Sequence, residues 1–193
     1  MLDYLNHTDV KVLYGGIDAY AQPPPNGGGF ALESAETAAT GGGFVSTGVR
    51  EELRATQQEI NAAIALNLCD YKFFDTRTQS EFEATGSFYG AAREGHIPAA
   101  MWYPWKQVFA ADGYNVKDKS TLQAELAAMG VTQDSTVVAY CTGGIRSGFM
   151  YMVLRWAGYE SAQNYDGSWW EWAQDSGNPI ETTRLDDDDD DSE

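Results

Sequence analysis

The feature that most constrains the fold is an unbroken β-prone run, Thr136-Val-Val-Ala-Tyr140, followed by a glycine-rich turn and a helical pattern from about Ser147 to Trp156. A continuous run of this kind is typical of a strand buried on both faces, at the centre of a parallel sheet. Strand-like and helical segments alternate from about residue 49 onwards. We therefore predict an α/β fold with a mostly parallel central sheet and helices on both faces.

The other elements are predicted from hydrophobic periodicity and from glycine or proline at their ends. The predicted strands cover residues 71–75, 99–103 and 161–165. The predicted helices cover residues 51–66, 79–84, 121–129 and 167–174. Together these elements predict one domain over residues 49–184.

The rest of the chain differs in texture. Residues 1–22 contain a β-like run, Val10-Lys-Val-Leu-Tyr14, and residues 23–48 are rich in proline and glycine. We expect the first segment to contain a strand and the second to be a linker. Residues 185–193 form an acidic block, which we expect to be disordered because like charges repel.

Charge and composition exclude several classes of function. The net charge is −17, of which seven negative charges lie in the tail, which leaves −10 on the remainder. Such a chain is a poor nucleic-acid binder, since phosphate recognition requires clustered lysine and arginine. The sequence has no apolar run long enough to cross a membrane and no visible signal peptide, so we expect a cytoplasmic protein without membrane contact. The oligomeric state is left open.

The candidate nucleophile is Cys141, which directly follows the strongest predicted strand. Open α/β sheets bind ligands at the carboxyl ends of their strands. Gly143 and Gly144 allow backbone amides to turn inward at a helix start, which favours an anion and therefore the thiolate form of the cysteine. Arg146 adds a positive charge. The second cysteine, Cys69, has neither glycine nor arginine beside it, and we expect both cysteines to be free thiols with only Cys141 reactive.

Four segments carry a family resemblance. They are Cys141-Thr-Gly-Gly-Ile-Arg-Ser147, Phe74-Asp-Thr-Arg-Thr-Gln-Ser-Glu-Phe82, Gly95-His-Ile-Pro-Ala-Ala100 and Tyr165-Asp-Gly-Ser-Trp169. Each resembles a signature of the rhodanese-type sulfurtransferases, with Ala99 in place of the usual glycine. The last resembles the catalytic second domain of tandem-domain thiosulfate sulfurtransferases. Residues 7–20 resemble the end of a first such domain, so the resemblance implies that this chain is a second domain with a remnant of the first.

The resemblance implies a double displacement without metal or cofactor. Cys141 would take sulfur from a small anionic donor, thiosulfate, and pass it as a persulfide to cyanide or a thiol. Binding of the donor falls to Arg146 and to the rest of the loop, namely Thr142, Gly143, Gly144, Ile145 and Ser147. Arg77 would either bind the donor or pair with a nearby carboxylate. Support of the loop falls to Asp75, His96 and Asp166.

Three alternatives stay open. Mercaptopyruvate sulfurtransferases carry an arginine where this chain has Glu81 and have a different loop after the cysteine, which favours thiosulfate here. Phosphatases and arsenate reductases of the same fold have five residues between cysteine and arginine, whereas four separate Cys141 from Arg146. A non-catalytic binding or regulatory module on this fold often lacks the cysteine.

Overall fold

The structure of the chain is a computed structural model that describes residues 2–7, 9–24, 28–34, 41–43, 45–86, 89–183 and 185. The acidic tail beyond residue 185 and parts of the predicted linker lie outside these residues. The chain forms two compact units. The first comprises Met1–Glu51 and Val108–Asp118, and the second comprises Glu52–Gln107 and Lys119–Glu193.

The first unit contains one short helix, α1 (Gly16–Ala21), among its described residues. The prediction of a strand at residues 10–14 is wrong. The structure has no strand there, and the run is exposed. β-prone residues form a strand only where a neighbouring strand supplies hydrogen bonds. Instead, the Tyr14 hydroxyl donates to the carbonyl of Val116 at 2.5 Å. The assignment of residues 1–22 to a first domain stays a prediction.

The second unit is built on a four-stranded parallel sheet. Its strands are β1 (Tyr71–Asp75), β2 (Ala100–Trp102), β3 (Thr136–Tyr140) and β4 (Gln163–Asn164). They lie in the order β2-β1-β3-β4, so the unbroken run of β3 occupies the centre of the sheet as predicted. The predicted α/β class with a parallel sheet is confirmed.

The helices of this unit fall close to their predicted positions. They are α2 (Gln57–Ala65), α3 (Gln79–Phe82), α4 (Lys119–Ala128), α5 (Ile145–Ala157) and α6 (Ser168–Gln174). Two 3₁₀ turns, Glu51–Leu53 and Trp105–Val108, each include a residue of the first unit. The predicted helix over 51–66 is interrupted because Thr56 begins α2 with a capping box that it forms with Glu59. Gly158 ends α5 in the left-handed conformation.

Helices cover both faces of the sheet. Successive residues of a strand face opposite sides, so Phe73, Val138 and Tyr140 share one face. These three side chains belong to a buried cluster with residues of α2 and α6, including Ile60 and Trp172. On the other face α5 contacts β3 and is itself contacted by α4. Among the described residues no helix has the length and apolar character needed to cross a membrane.

Candidate functional site

The site lies at the carboxyl edge of the sheet. Asp75 ends β1 and is in register with Tyr140, the last residue of β3. Cys141 follows β3 directly, and Asp166 follows β4 by two residues. All the parallel strands end at this edge, so segments that are far apart in the sequence meet here.

The loop from Cys141 to Ser147 surrounds the sulfur with donors. The Gly144 amide donates to Sγ of Cys141 at 3.1 Å, and the Ser147 hydroxyl lies 3.7 Å from the same atom. Cys141 is only 2% exposed. Burial acts to raise the pKa of this thiol, but hydrogen bonds from Ser147 and the Gly143 amide, together with the charge of Arg146, outweigh it and lower the pKa. The sulfur is thus biased towards its nucleophilic form.

Both glycines of the loop lie in close contact with neighbouring groups. Gly144 has a φ of +86°, and a Cβ there would lie 2.5 Å from the carbonyl oxygen of Asp166. A Cβ on Gly143 would lie 2.6 Å from the ring of Trp170. Glycine is therefore required at position 144, where the loop meets backbone, whereas a side chain at position 143 would require the Trp170 ring to shift.

The start of α6 holds the loop from that side. The Cys141 amide donates to the hydroxyl of Ser168, and this hydroxyl donates to the Tyr165 carbonyl at 2.7 Å. The Trp169 amide donates to the carbonyl of Cys141, and the Trp170 amide to that of Thr142. Three bonds thus fix the backbone around the nucleophile, and the fourth fixes the Ser168 hydroxyl, a group whose role the sequence did not reveal.

Arg146 is bound to a carboxylate. Its Nη1 donates to Oε2 of Glu81 and its Nη2 to Oε1 of Glu81, both at 2.9 Å. Nη2 also donates to the Thr142 hydroxyl, which in turn donates to Glu81 at 2.7 Å. The predicted donor-binding arginine therefore belongs to a closed network in which Glu81 is the acceptor.

Glu81 itself is held ionised. It is 5% exposed and also accepts hydrogen bonds from the amide and the hydroxyl of Thr78. Burial acts to raise the pKa of this carboxyl, but the hydrogen bonds from Arg146, Thr142 and Thr78 lower it to about 2. The Thr-x-x-Glu spacing is a capping-box signal that was readable in the sequence. The pairing with Arg146, 65 residues away, was not.

Arg77 is almost fully buried near the loop. Its side chain is 3% exposed and forms a bidentate pair with Asp75, with the Nη2 to Oδ2 distance at 2.6 Å. Its Nη2 also donates to the Gly95 carbonyl, and its guanidinium lies 4.7 Å from the ring centre of Trp169. Of the two roles expected for Arg77, the geometry favours the ion pair.

The remaining predicted supports act at a distance from the sulfur. His96 Nδ1 lies 2.8 Å from the Phe82 carbonyl, and its ring stacks on that of Phe82. Asp166 contacts the loop through its backbone, whereas its side chain accepts from Nε of Arg54 at 2.8 Å. The Ile145 side chain is exposed, so only its backbone belongs to the loop's inner surface.

The surroundings of the loop contain further polar groups. Arg93 donates to backbone carbonyls of Trp172, Ala173 and Asn178. An open depression of about 660 Å³ lies beside Gly143, and its other lining residues are mostly polar or acidic: Gln57, Asp166, Gly167, Trp170, Glu171, Gln174 and Asp175. In the described part of the chain, no cluster of three or more histidine, cysteine, aspartate or glutamate residues could hold a metal ion.

Known proteins are similar to this chain in sequence. A thiosulfate sulfurtransferase of Pseudomonas aeruginosa is 29% identical over 185 residues, which cover 94% of this chain and 63% of that protein. The sulfur carrier protein TtuD of Thermus thermophilus is 41% identical over 92 residues, which cover 47% of this chain and 32% of that protein. The chain thus spans less than two thirds of the length of these relatives.

Solved structures agree on the fold. The anaerobic ergothioneine biosynthesis enzyme from Chlorobium limicola, in complex with its natural substrate trimethyl histidine, superposes with a TM-score of 0.78 at 22% identity. The match covers 93% of this chain and 43% of that enzyme. The sequence model of the rhodanese-like domain matches residues 56–175. This match covers most of the chain, and the chain belongs to the rhodanese-like domain family.

Proposed function

We propose that the chain is a sulfurtransferase that moves sulfane sulfur from thiosulfate to cyanide or a thiol through a persulfide on Cys141. The observation that carries this proposal is the position of the Cys141 sulfur. It lies within a ring of donors that lower the pKa of the thiol, with the Gly144 amide at 3.1 Å. An activated thiolate in a loop of inward amides is suited to attack sulfur and to stabilise the anion that forms.

The reaction balances without an added oxidant or reductant. The Cys141 thiolate attacks the outer sulfur of thiosulfate, the sulfur–sulfur bond of the donor breaks, and sulfite leaves with the bonding pair. The acceptor then attacks the terminal sulfur of the persulfide. The bond between the two sulfurs breaks, and its electrons return to Cys141 as the thiolate. The Gly144 amide and the Ser147 hydroxyl would stabilise the negative sulfur at both stages.

The choice of donor is supported by relatives. The Pseudomonas aeruginosa relative is named a thiosulfate sulfurtransferase, and TtuD is named a sulfur carrier protein. Both names describe proteins that handle transferable sulfur. Mercaptopyruvate is the second donor to be tested, because a different carrier of the same sulfur could load the same thiol.

The test is a mass measurement on folded protein. Incubation with thiosulfate should add one sulfur atom to the chain, and cyanide should remove it as thiocyanate. The Cys141→Ser variant should gain no sulfur. The matched control is Cys69→Ser, which removes the exposed second thiol and should still be loaded. If folded wild-type protein gains no sulfur from thiosulfate or from mercaptopyruvate, the proposal is wrong and a binding module is favoured.

A further inference from the structure

Glu81 is an acidic group placed where an anion donor is expected to bind. Its two oxygens accept five hydrogen bonds from Thr78, Thr142 and Arg146. A buried carboxylate with this many donors stays ionised and fixed in position. The negative charge is therefore a permanent part of the loop's surroundings.

The positive charge of Arg146, within the loop, is already balanced by the carboxylate of Glu81. Its side chain remains 22% exposed, but both terminal nitrogens face Glu81 in a fork. The same guanidinium also attracts the Cys141 sulfur. An incoming anion therefore meets an ion pair with no net charge, whereas an unpaired arginine would offer a full positive charge.

Two other arginine–carboxylate pairs lie near the loop. Arg77, after β1, is paired with Asp75, and Asp166, before α6, is paired with Arg54. Arg93 directs its guanidinium at backbone carbonyls near the end of α6. Of the five bonds that hold Glu81, three come from the loop that carries the nucleophile, so removing its charge acts directly on that loop.

We propose that Glu81 is a specificity-determining residue: by neutralising Arg146 it weakens the attraction of the loop for dianionic sulfur donors, thiosulfate among them, relative to donors of lower charge. On this inference Glu81 does not itself favour thiosulfate, and the sequence argument for that donor rests on the loop after Cys141. This inference rests on the proposed sulfur transfer. The loop's amides and hydroxyls would then supply most of the binding energy for a donor. Glu81 would set how strongly the affinity depends on the charge of that donor.

The first test is steady-state kinetics with two donors that differ in charge. Thiosulfate carries two negative charges, and benzenethiosulfonate carries one. The Glu81→Gln variant should lower KM about tenfold for thiosulfate and about threefold for benzenethiosulfonate, since one uncancelled charge near the donor attracts a dianion more strongly. The turnover number should change less than KM. The matched control is Glu83→Gln, which removes a nearby carboxylate that binds Gln79 and lies outside the loop network.

The second test does not need sulfur transfer. Iodoacetamide is a neutral reagent that alkylates the thiolate. In a background that carries Cys69→Ser, the pH dependence of the alkylation rate should give the pKa of the Cys141 thiol. Glu81→Gln should lower this pKa and Arg146→Gln should raise it. The double variant should return close to wild type, because both members of the pair are then neutral. If Glu81→Gln does not fold, Arg146→Gln compared with the double variant still isolates the Glu81 charge.

The outcomes separate the two proposals. If wild-type protein takes no sulfur but the alkylation cycle behaves as described, the charge balance stands and the proposed sulfur transfer fails. If Glu81→Gln weakens both donors equally and leaves the thiol pKa unchanged, Glu81 only supports the fold and the inference is overturned.

Discussion

Two arginine–carboxylate pairs lie near the loop that carries Cys141, and they differ in burial and in the distance along the chain between their members. Arg77 and Asp75 are separated by one residue and are both almost fully buried. Arg146 and Glu81 come from different helices, and the arginine side chain is 22% exposed. Both arginines were candidate donor-binding residues on sequence grounds, but only Arg146 lies at the surface of the loop.

The difference shows that the burial of the partner carboxylate and the element that carries the arginine decide the role of the arginine. Asp75 is the last residue of a central strand, and its carboxylate is buried. Arg77, which pairs with it, is therefore buried as well. A buried charge must be paired, because isolated charges are strongly disfavoured there. Arg146 sits in the first turn of α5, where its side chain reaches Glu81 without leaving the surface. The first pair supports the fold, and the second tunes the loop.

The largest effect expected from this comparison is on stability in Arg77→Met. The variant leaves Asp75 buried without its cationic partner, which costs about 3–5 kcal/mol of unfolding free energy. Urea denaturation followed by circular dichroism measures the change. A loss below about 1 kcal/mol would contradict a supporting role for this pair and make Arg77 a functional arginine after all.

The loss of unfolding free energy at acid pH should depend on the pair of Arg146 and Glu81. The pKa of Glu81 is lowered from 4.5 in the unfolded chain to about 2 in the fold. The stabilisation is therefore fully present above pH 4.5 and is lost as the pH falls towards 2, by up to about 3 kcal/mol. Glu81→Gln should flatten the decline of stability in this window. An unchanged slope in that variant would mean that other carboxylates dominate the acid transition.

The smallest effect is expected for Arg54→Met, which makes the same substitution in an exposed pair. The side chains of Arg54 and Asp166 are 43% and 52% exposed, so solvent screens their attraction. The variant should lose less than about 1 kcal/mol of unfolding free energy. The same urea titration ranks it against Arg77→Met, and equal losses in the two variants would show that burial does not set the difference.

Much of the sheet could be predicted from sequence because its signal is local. The β3 run and the glycine at the end of α5 each determine their element without help from distant residues. The β-like run at residues 10–14 failed because a strand also requires a partner, which no local pattern reports. Cys141 and the loop glycines were predictable from the strand, turn and helix order that contains them.

The partners within the site were less predictable because they come from distant segments. Glu81 and Arg146 meet only when α3 and α5 are placed at one edge of the sheet. The Ser168 hydroxyl reaches the Cys141 amide across 27 residues. The sequence named each of these segments as part of a family-like motif, but it did not say which atoms would touch.

The depth of the Cys141 sulfur sets a geometric limit on what can reach it. With 2% of the residue exposed, the thiol is at the floor of the loop, and the ring of Trp170 lies against Gly143 beside it. A slim ion or a small thiol can approach such an atom in line, whereas a cysteine on the flat face of a folded protein cannot. Under the proposed transfer, a protein acceptor would therefore have to present its cysteine on a narrow, protruding loop or a flexible terminus.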